Sequence, residues 1–162
     1  MQKLQKFHHS VTENGNLQVR IITEYMKGGE SQGKKYSDPM TPADTKDMTG
    51  WDDRSKDIVE AITDTKVIAD FTIEKIEGSE SSNPHEEVTY DRTLDDLGRI
   101  SIRRITRIFD DGVEVSKKYH RSWIMPGQGP AGNDVISKAV AQKLHTPEVI
   151  AAYKAKMAEA GK

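Results

Sequence analysis

Apolar and polar residues alternate with a period of two through residues 88–123, and apolar residues return every third or fourth position after residue 133. Such a change separates strands from helices. Val88–Leu94 is predicted as a strand ending at Asp95-Asp96-Leu97-Gly98, a turn with glycine where positive φ is needed. Arg99–Phe109 is a second strand. Its apolar phase changes between Ile102 and Ile105, which predicts a β-bulge or a strand partly covered on both faces. Asp110-Asp111-Gly112 is a hairpin turn, and Val113–Trp123 a third strand with Val113, Val115, Lys117 and Tyr119 on one face. Met125–Gly132 is too rich in glycine and proline for regular structure. Asn133 or Asp134 then caps a helix to about Leu144, with Ile136, Val140 and Leu144 spaced by four. Thr146-Pro147-Glu148 opens another helix, with a buried stripe of Val149, Ile150, Tyr153 and Met157 and a stop at Gly161.

The same plan occurs earlier in the chain. Strands are predicted near Leu4–Val11, Leu17–Met26 and Gln32–Ser37, with turns at Glu13-Asn14-Gly15 and Lys27-Gly28-Gly29. After the loop from Asp38 to Gly50, a helix starting near Asp52 carries Ile58, Val59 and Ile62. Sliding the sequence by 83 places Gly15 on Gly98, Arg20 on Arg103, Ile22-Thr23 on Ile105-Thr106, Gly29 on Gly112 and Lys34-Lys35-Tyr36 on Lys117-Lys118-Tyr119. That is about 8 identities in about 30 positions, where average residue usage gives roughly 2. Past the loop the offset is 82, placing Ser55-Lys56 on Ser137-Lys138 and Val67-Ile68-Ala69 on Val149-Ile150-Ala151. Lys66–Ile76 favours a strand by propensity but maps onto the last helix, and the mapping is followed. The expected fold is therefore α+β, with two tandem repeats, each a three-stranded antiparallel β-meander followed by two short α-helices. Residues 1–78 form the first unit, 79–86 a Gly/Ser/Pro-rich linker, and 87–162 the second unit.

Composition adds a constraint. Only 35% of the 162 residues are hydrophobic and 31% are charged, so a unit of this size buries a thin core. Packing two units together, or assembling several chains, offsets that deficit. The absence of cysteine removes disulfides and thiolate chemistry. A net charge of -2 with interspersed signs lacks the strongly basic face of a nucleic-acid coat. No apolar run approaches the ~20 residues of a membrane span. Met1–Lys6 has no apolar core of the kind a signal peptide needs.

Chemistry-bearing residues do not converge on a motif. His8 and His9 are adjacent on a strand and should point to opposite faces, and His85, His120 and His145 show no ligand spacing. Asp52-Asp53 fit a helix start and Asp110-Asp111 a turn, and the acids from Asp44 to Asp53 lack the register of a calcium loop. Gly127, Gly129 and Gly132 are interrupted by Pro126 and Pro130, which lack the amide donors of a phosphate cradle. No catalytic, cofactor-binding or metal-ligating residue is expected, and no cofactor. The most basic stretch holds Arg99, Arg103, Arg104, Arg107 and Lys117-Lys118-Tyr119-His120-Arg121. Alternate members would make a cationic face near Tyr119 and Trp123, with Asp95, Asp96, Asp110, Asp111 and Glu114 flanking it.

The run FDDGVEVSKKYHRSWIMPGQ, followed by a helix and HTPEVIAAYKAKMAEAG, resembles a group of small uncharacterised proteins of tailed bacteriophages. The shared features are Gly98, Asp111-Gly112, Tyr119-His120-Arg121, Pro126-Gly127 and the stretch from His145 to Tyr153. Where those proteins usually carry Pro-Gly-Asp-Asp, this chain has Pro126-Gly127-Gln128-Gly129, so any role of those acids does not transfer. The resemblance implies a non-enzymatic virion structural protein of the tail, baseplate or fibre-attachment region. Its partners would be other virion proteins, with a homo-oligomer or ring in the particle and no membrane. Trp51, Met40, Trp123 and Met125 are expected at loops where a partner covers them. The alternative is a phage-encoded cytoplasmic regulator binding nucleic acid through Arg103–Arg107.

Overall fold

The computed structural model describes residues 1–39, 48–77, 83–129 and 134–160. Strands β1 (Gln2–Val11), β2 (Leu17–Lys27) and β3 (Glu30–Tyr36) are followed by helices α1 (Asp53–Thr63) and α2 (Thr65–Glu77). Then come β4 (His85–Leu94), β5 (Ile100–Asp110), β6 (Val113–Ile124), α3 (Val135–Leu144) and α4 (Pro147–Ala160). The strands form one curled antiparallel sheet in the order β3-β2-β1-β4-β5-β6. The fold is α+β, as the sequence pattern predicts. Lys66–Ile76 is helical within α2, despite its strand-favouring composition, because packing overrides propensity. His85 and Glu86, placed in the linker by composition, already belong to β4.

The two hairpin sets share one register. Gln2↔Met26 in the β1–β2 ladder corresponds to His85↔Phe109 in β4–β5, and Ile22↔Tyr36 in β2–β3 to Ile105↔Tyr119 in β5–β6, every number raised by 83. Each outer ladder carries one register shift, at Tyr25/Met26 and at Ile108/Phe109, again 83 apart. The outer hairpin turns agree as well: Gly28 has φ 61, and Asp111 at the corresponding place has φ 49. The sheets join through only three pairs, His9↔Leu94, Ser10↔Thr93 and Val11↔Arg92. Raising or lowering those numbers by 83 returns the same ladder, with Ser10↔Thr93 at its centre.

The core lies between one face of the sheet and the helices. Val11, Leu17, Val19, Leu94, Ile100, Ile102 and Ile124 meet Ile58, Val59 and Ile62 of α1 and Ile136, Val140, Ala141 and Leu144 of α3. Each fully buried aliphatic side chain of this size contributes roughly 1.5–3 kcal/mol of transfer free energy. Both helices start alike. Asp52 and Asp134 are the N-caps, with ψ 160 and 163, and accept from the amides of Ser55 and Ser137.

Other sequence expectations change. No bulge separates Ile102 from Ile105, since both β5 ladders run unbroken through them. Instead the strand is partly covered on both faces. Ile102 joins the core, while Ile105, 1% exposed, is buried on the other side between Thr89 and Tyr119. Trp51 is not a loop residue awaiting a partner: it precedes the α1 cap and is buried in the core. The stripe on α4 is not buried, and the helix has no buried residue at all. Val149 packs on the turn at Gly98 and Ile150 on the loop at Gly127, both half-buried like Tyr153, and Met157 is exposed. The expected positions of Met40, Pro130, Gly132 and Gly161 lie outside the described residues.

Candidate protein-contact surface

The face of the sheet away from the core is built on β4, β5 and β6. Side chains alternate across a strand, so Arg103, Ile105 and Arg107 of β5 share this face with Lys117, Tyr119, Arg121 and Trp123 of β6. Cations lie over the aromatic rings, Arg99 5.5 Å from the Trp123 centroid, Arg103 5.5 Å and Lys117 5.7 Å from that of Tyr119. Tyr119 and Trp123 are 57% and 49% exposed. Val113 and Val115 are exposed too but, contrary to the sequence expectation, not in phase with Lys117 and Tyr119, because the register shift puts Glu114 rather than Val113 on this face. β6 is also a sheet edge of 12 residues, with a row of backbone groups facing outward. Trp123 sits in this strand rather than in a loop. Of the Pro-Gly loop that follows, Pro126 is buried, Met125 half-buried, and Gly127–Gly129 exposed.

The cations of this face are largely matched. Arg103 pairs with Asp91, and Arg107 with Glu13 at 2.9 Å and with Glu114 at 3.4 Å. Glu13 comes from the β1–β2 turn, and its carboxylate also accepts from Thr89 at 2.8 Å. Hydrogen bonding to Arg107 holds the Glu13 carboxyl below its ordinary range. Arg104 is in the opposite phase and points to the other side of the sheet. The basic run therefore splits between faces, and on the aromatic side Arg103 and Arg107 carry their own counter-charges.

Beneath the sheet lies a pair of buried polar ties that the sequence reading missed. Arg92 of β4 is 1% exposed; its Nε donates to Ser137 at 2.9 Å and to Asp134 at 3.1 Å, and its Nη2 also pairs with Asp134. Its Nη1 donates to the carbonyls of Tyr90 and Thr12 at 2.9 and 3.2 Å, so the guanidinium ties β4, the β1–β2 turn and the α3 cap together. At the corresponding place in β1, His9 meets Ser55 at 2.8 Å beside Asp52 at 3.5 Å. A signal existed: Arg92 is in phase with Tyr90 and Leu94, and His9 with Phe7 and Val11, so both are polar residues on an inward face.

Ser55, His9 and Asp52 have the residue types of a nucleophile, base and acid. Ser55 is 0% exposed and committed to the cap, however, so no substrate reaches it. Burial holds the His9 imidazole below its usual pKa. His8 is exposed on the opposite face. His85 stacks on Phe109 at 5.4 Å, and His145 bonds the Gly98 carbonyl at 2.8 Å. Among the described residues no three His, Asp or Glu side chains gather as for a metal ion. Asp52-Asp53 stand at a helix start and Asp111 in a turn, as predicted.

No protein-family model, curated protein or solved structure matches the chain. No helix among the described residues is long and apolar enough to cross a membrane.

Proposed function

We propose that the chain is a tandem duplication acting as a non-enzymatic structural protein of a tailed-bacteriophage particle. It serves as an adaptor or decoration piece in the tail, baseplate or fibre-attachment region, through protein–protein contacts. The duplication is supported by the constant offset of 83 in the strand ladders and register shifts, and by the matched caps at Asp52 and Asp134. The central ladder around Ser10↔Thr93 is self-complementary, as an isologous contact between two like units would be. Two like units let one chain occupy two quasi-equivalent positions in a ring.

The observation that carries the contact role is β6, a long edge strand presenting Val113, Val115, Tyr119 and Trp123 to solvent. A partner strand could pair with that edge while its side chains cover the aromatic stripe. The phage assignment rests on the residues that carry the resemblance, from Phe109 to Gln128 and from His145 to Gly161. Quantitative mass spectrometry of purified particles tests the reading. The chain is expected in mature virions, and a Tyr119→Ser/Trp123→Ser variant is expected at reduced copy number with unchanged level in the lysate. Its absence from wild-type virions would sink the proposal.

The nucleic-acid reading draws on Tyr119 and Trp123 beside cations, a pattern of single-strand binders. The carboxylates on Arg103 and Arg107 weigh against it, because paired cations release few counter-ions. A salt-dependent gel shift lost on neutralising Arg103 and Arg107 would favour it instead.

A further inference from the structure

A cavity of about 460 Å³ lies between α1, the β4–β5 turn and α4. In the other half a pocket of only about 20 Å³ remains, between α2, the β1–β2 turn and β4. There Phe71 packs on Gly15, 3.2 Å from where a Cβ would stand, and Glu74 accepts from the Val135 amide at 3.4 Å. The open cavity is lined by Tyr153 and Lys156 at the positions of Phe71 and Glu74.

Its wall also differs in chemistry. Arg54, Asp57 and Lys143 line it where the closed half has Ile136, Ala139 and Ala61, numbers shifted by 82. Charged side chains have thus taken apolar or small positions around the cavity that stays open. Nη2 of Arg54 is buried and has no hydrogen-bond partner among the described residues. Buried donors are almost always paired, so this one is a polar demand left unmet at a residue that lines the cavity. The lining holds three cations, Arg54, Lys143 and Lys156, against Asp57 and Asp96; Lys143 is paired with Glu60 at 2.9 Å, and Asp95 and Asp52 also lie near Arg54. Leu144, Val149 and Tyr153 supply an apolar wall opposite. The volume falls in the range of small-molecule sites.

We propose that this cavity binds a small organic acid, its carboxylate taken by the Arg54 guanidinium and its apolar body laid on Leu144, Val149 and Tyr153. The site goes beyond the particle role and does not depend on it. A neutral amide of the same shape offers the guanidinium only an uncharged acceptor, so the charge sets the selectivity.

Titration of the isotope-labelled full chain with octanoate, followed by amide NMR, tests this. Saturable shifts are expected at Leu97, Gly98, Val149 and Ala152, and not around Gly15 and Phe71. Octanamide should bind at least about tenfold more weakly, the worth of one charge-assisted hydrogen bond. Arg54→Gln should bring the two ligands to equal affinity. Should that variant misfold, Ala152→Trp, at an exposed α4 position beside the cavity, should block octanoate with an unchanged circular dichroism spectrum. Equal binding of acid and amide by the wild type, shifts centred on the Phe71 side, or none up to about 10 mM ligand would overturn the proposal.

Discussion

Replacing Arg92 with methionine removes the cation that ties the two halves while keeping an apolar stem in place. Asp134, whose side chain is 0% exposed, then keeps a buried charge with no counter-ion. The carbonyls of Thr12 and Tyr90 lose a donor at the same step. Breaking a buried pair from one side costs about 3–5 kcal/mol. That is a large share of the roughly 5–15 kcal/mol that holds a typical domain folded. Urea unfolding read by circular dichroism should show a midpoint lowered by about 1–3 M at an ordinary denaturant slope. Adding Asp134→Ser removes the stranded charge and keeps a capping oxygen at the start of α3. The double variant should therefore recover at least about 2 kcal/mol of the loss. A loss under about 1 kcal/mol for Arg92→Met, or a further loss in the double variant, would refute this reading of the tie.

Three smaller predictions follow from neighbouring features. Burial holds the His9 pKa below its ordinary 6.5, so the unfolded chain takes up a proton that the folded one refuses. That contribution is fully present above about pH 6.5 and is lost as pH falls below it, so His9→Gln should flatten the stability–pH slope on the acid side; equal slopes would contradict the assignment. Gly98→Ala should cost about 2–4 kcal/mol, since φ is +83 and the added Cβ would sit 2.9 Å from Val149 Cγ1, whereas Gly28→Ala, with open space around it, should cost only about 1 kcal/mol. Comparative thermal melts check the ranking. Trp123→Ser should leave stability within about 1 kcal/mol of wild type, because its ring is half-exposed and no part of the core; a larger loss in urea melts would make it a core residue.

Much of the fold was legible from local pattern. Alternation placed all six strands within a few residues; a helix start was expected near Asp52 and a cap at Asn133 or Asp134, and Asp52 and Asp134 are the caps. The offset of 82 past the loop carried the assignment of Lys66–Ile76, whose own residues argued for a strand. What pattern could not give was the meeting of β1 with β4, because three pairs between residues more than 80 positions apart leave no local trace. Arg92 stayed hidden for the same reason: its partner Asp134 lies on another element 42 residues away. The α4 stripe misled because helical spacing shows which residues share a face, not whether anything lies against it. At the contact surface, alternation correctly gathered Tyr119 and Trp123 with Arg103 and Lys117. It could not show that Glu13 folds across from a distant turn to neutralise Arg107.

The most direct test of the contact role is a density map of the intact particle fine enough to trace strands. The proposal predicts this chain in the tail, baseplate or fibre region, with the β6 edge and the rings of Tyr119 and Trp123 covered by another particle protein. A map without the chain, or one in which β6 faces solvent in every copy, would contradict it.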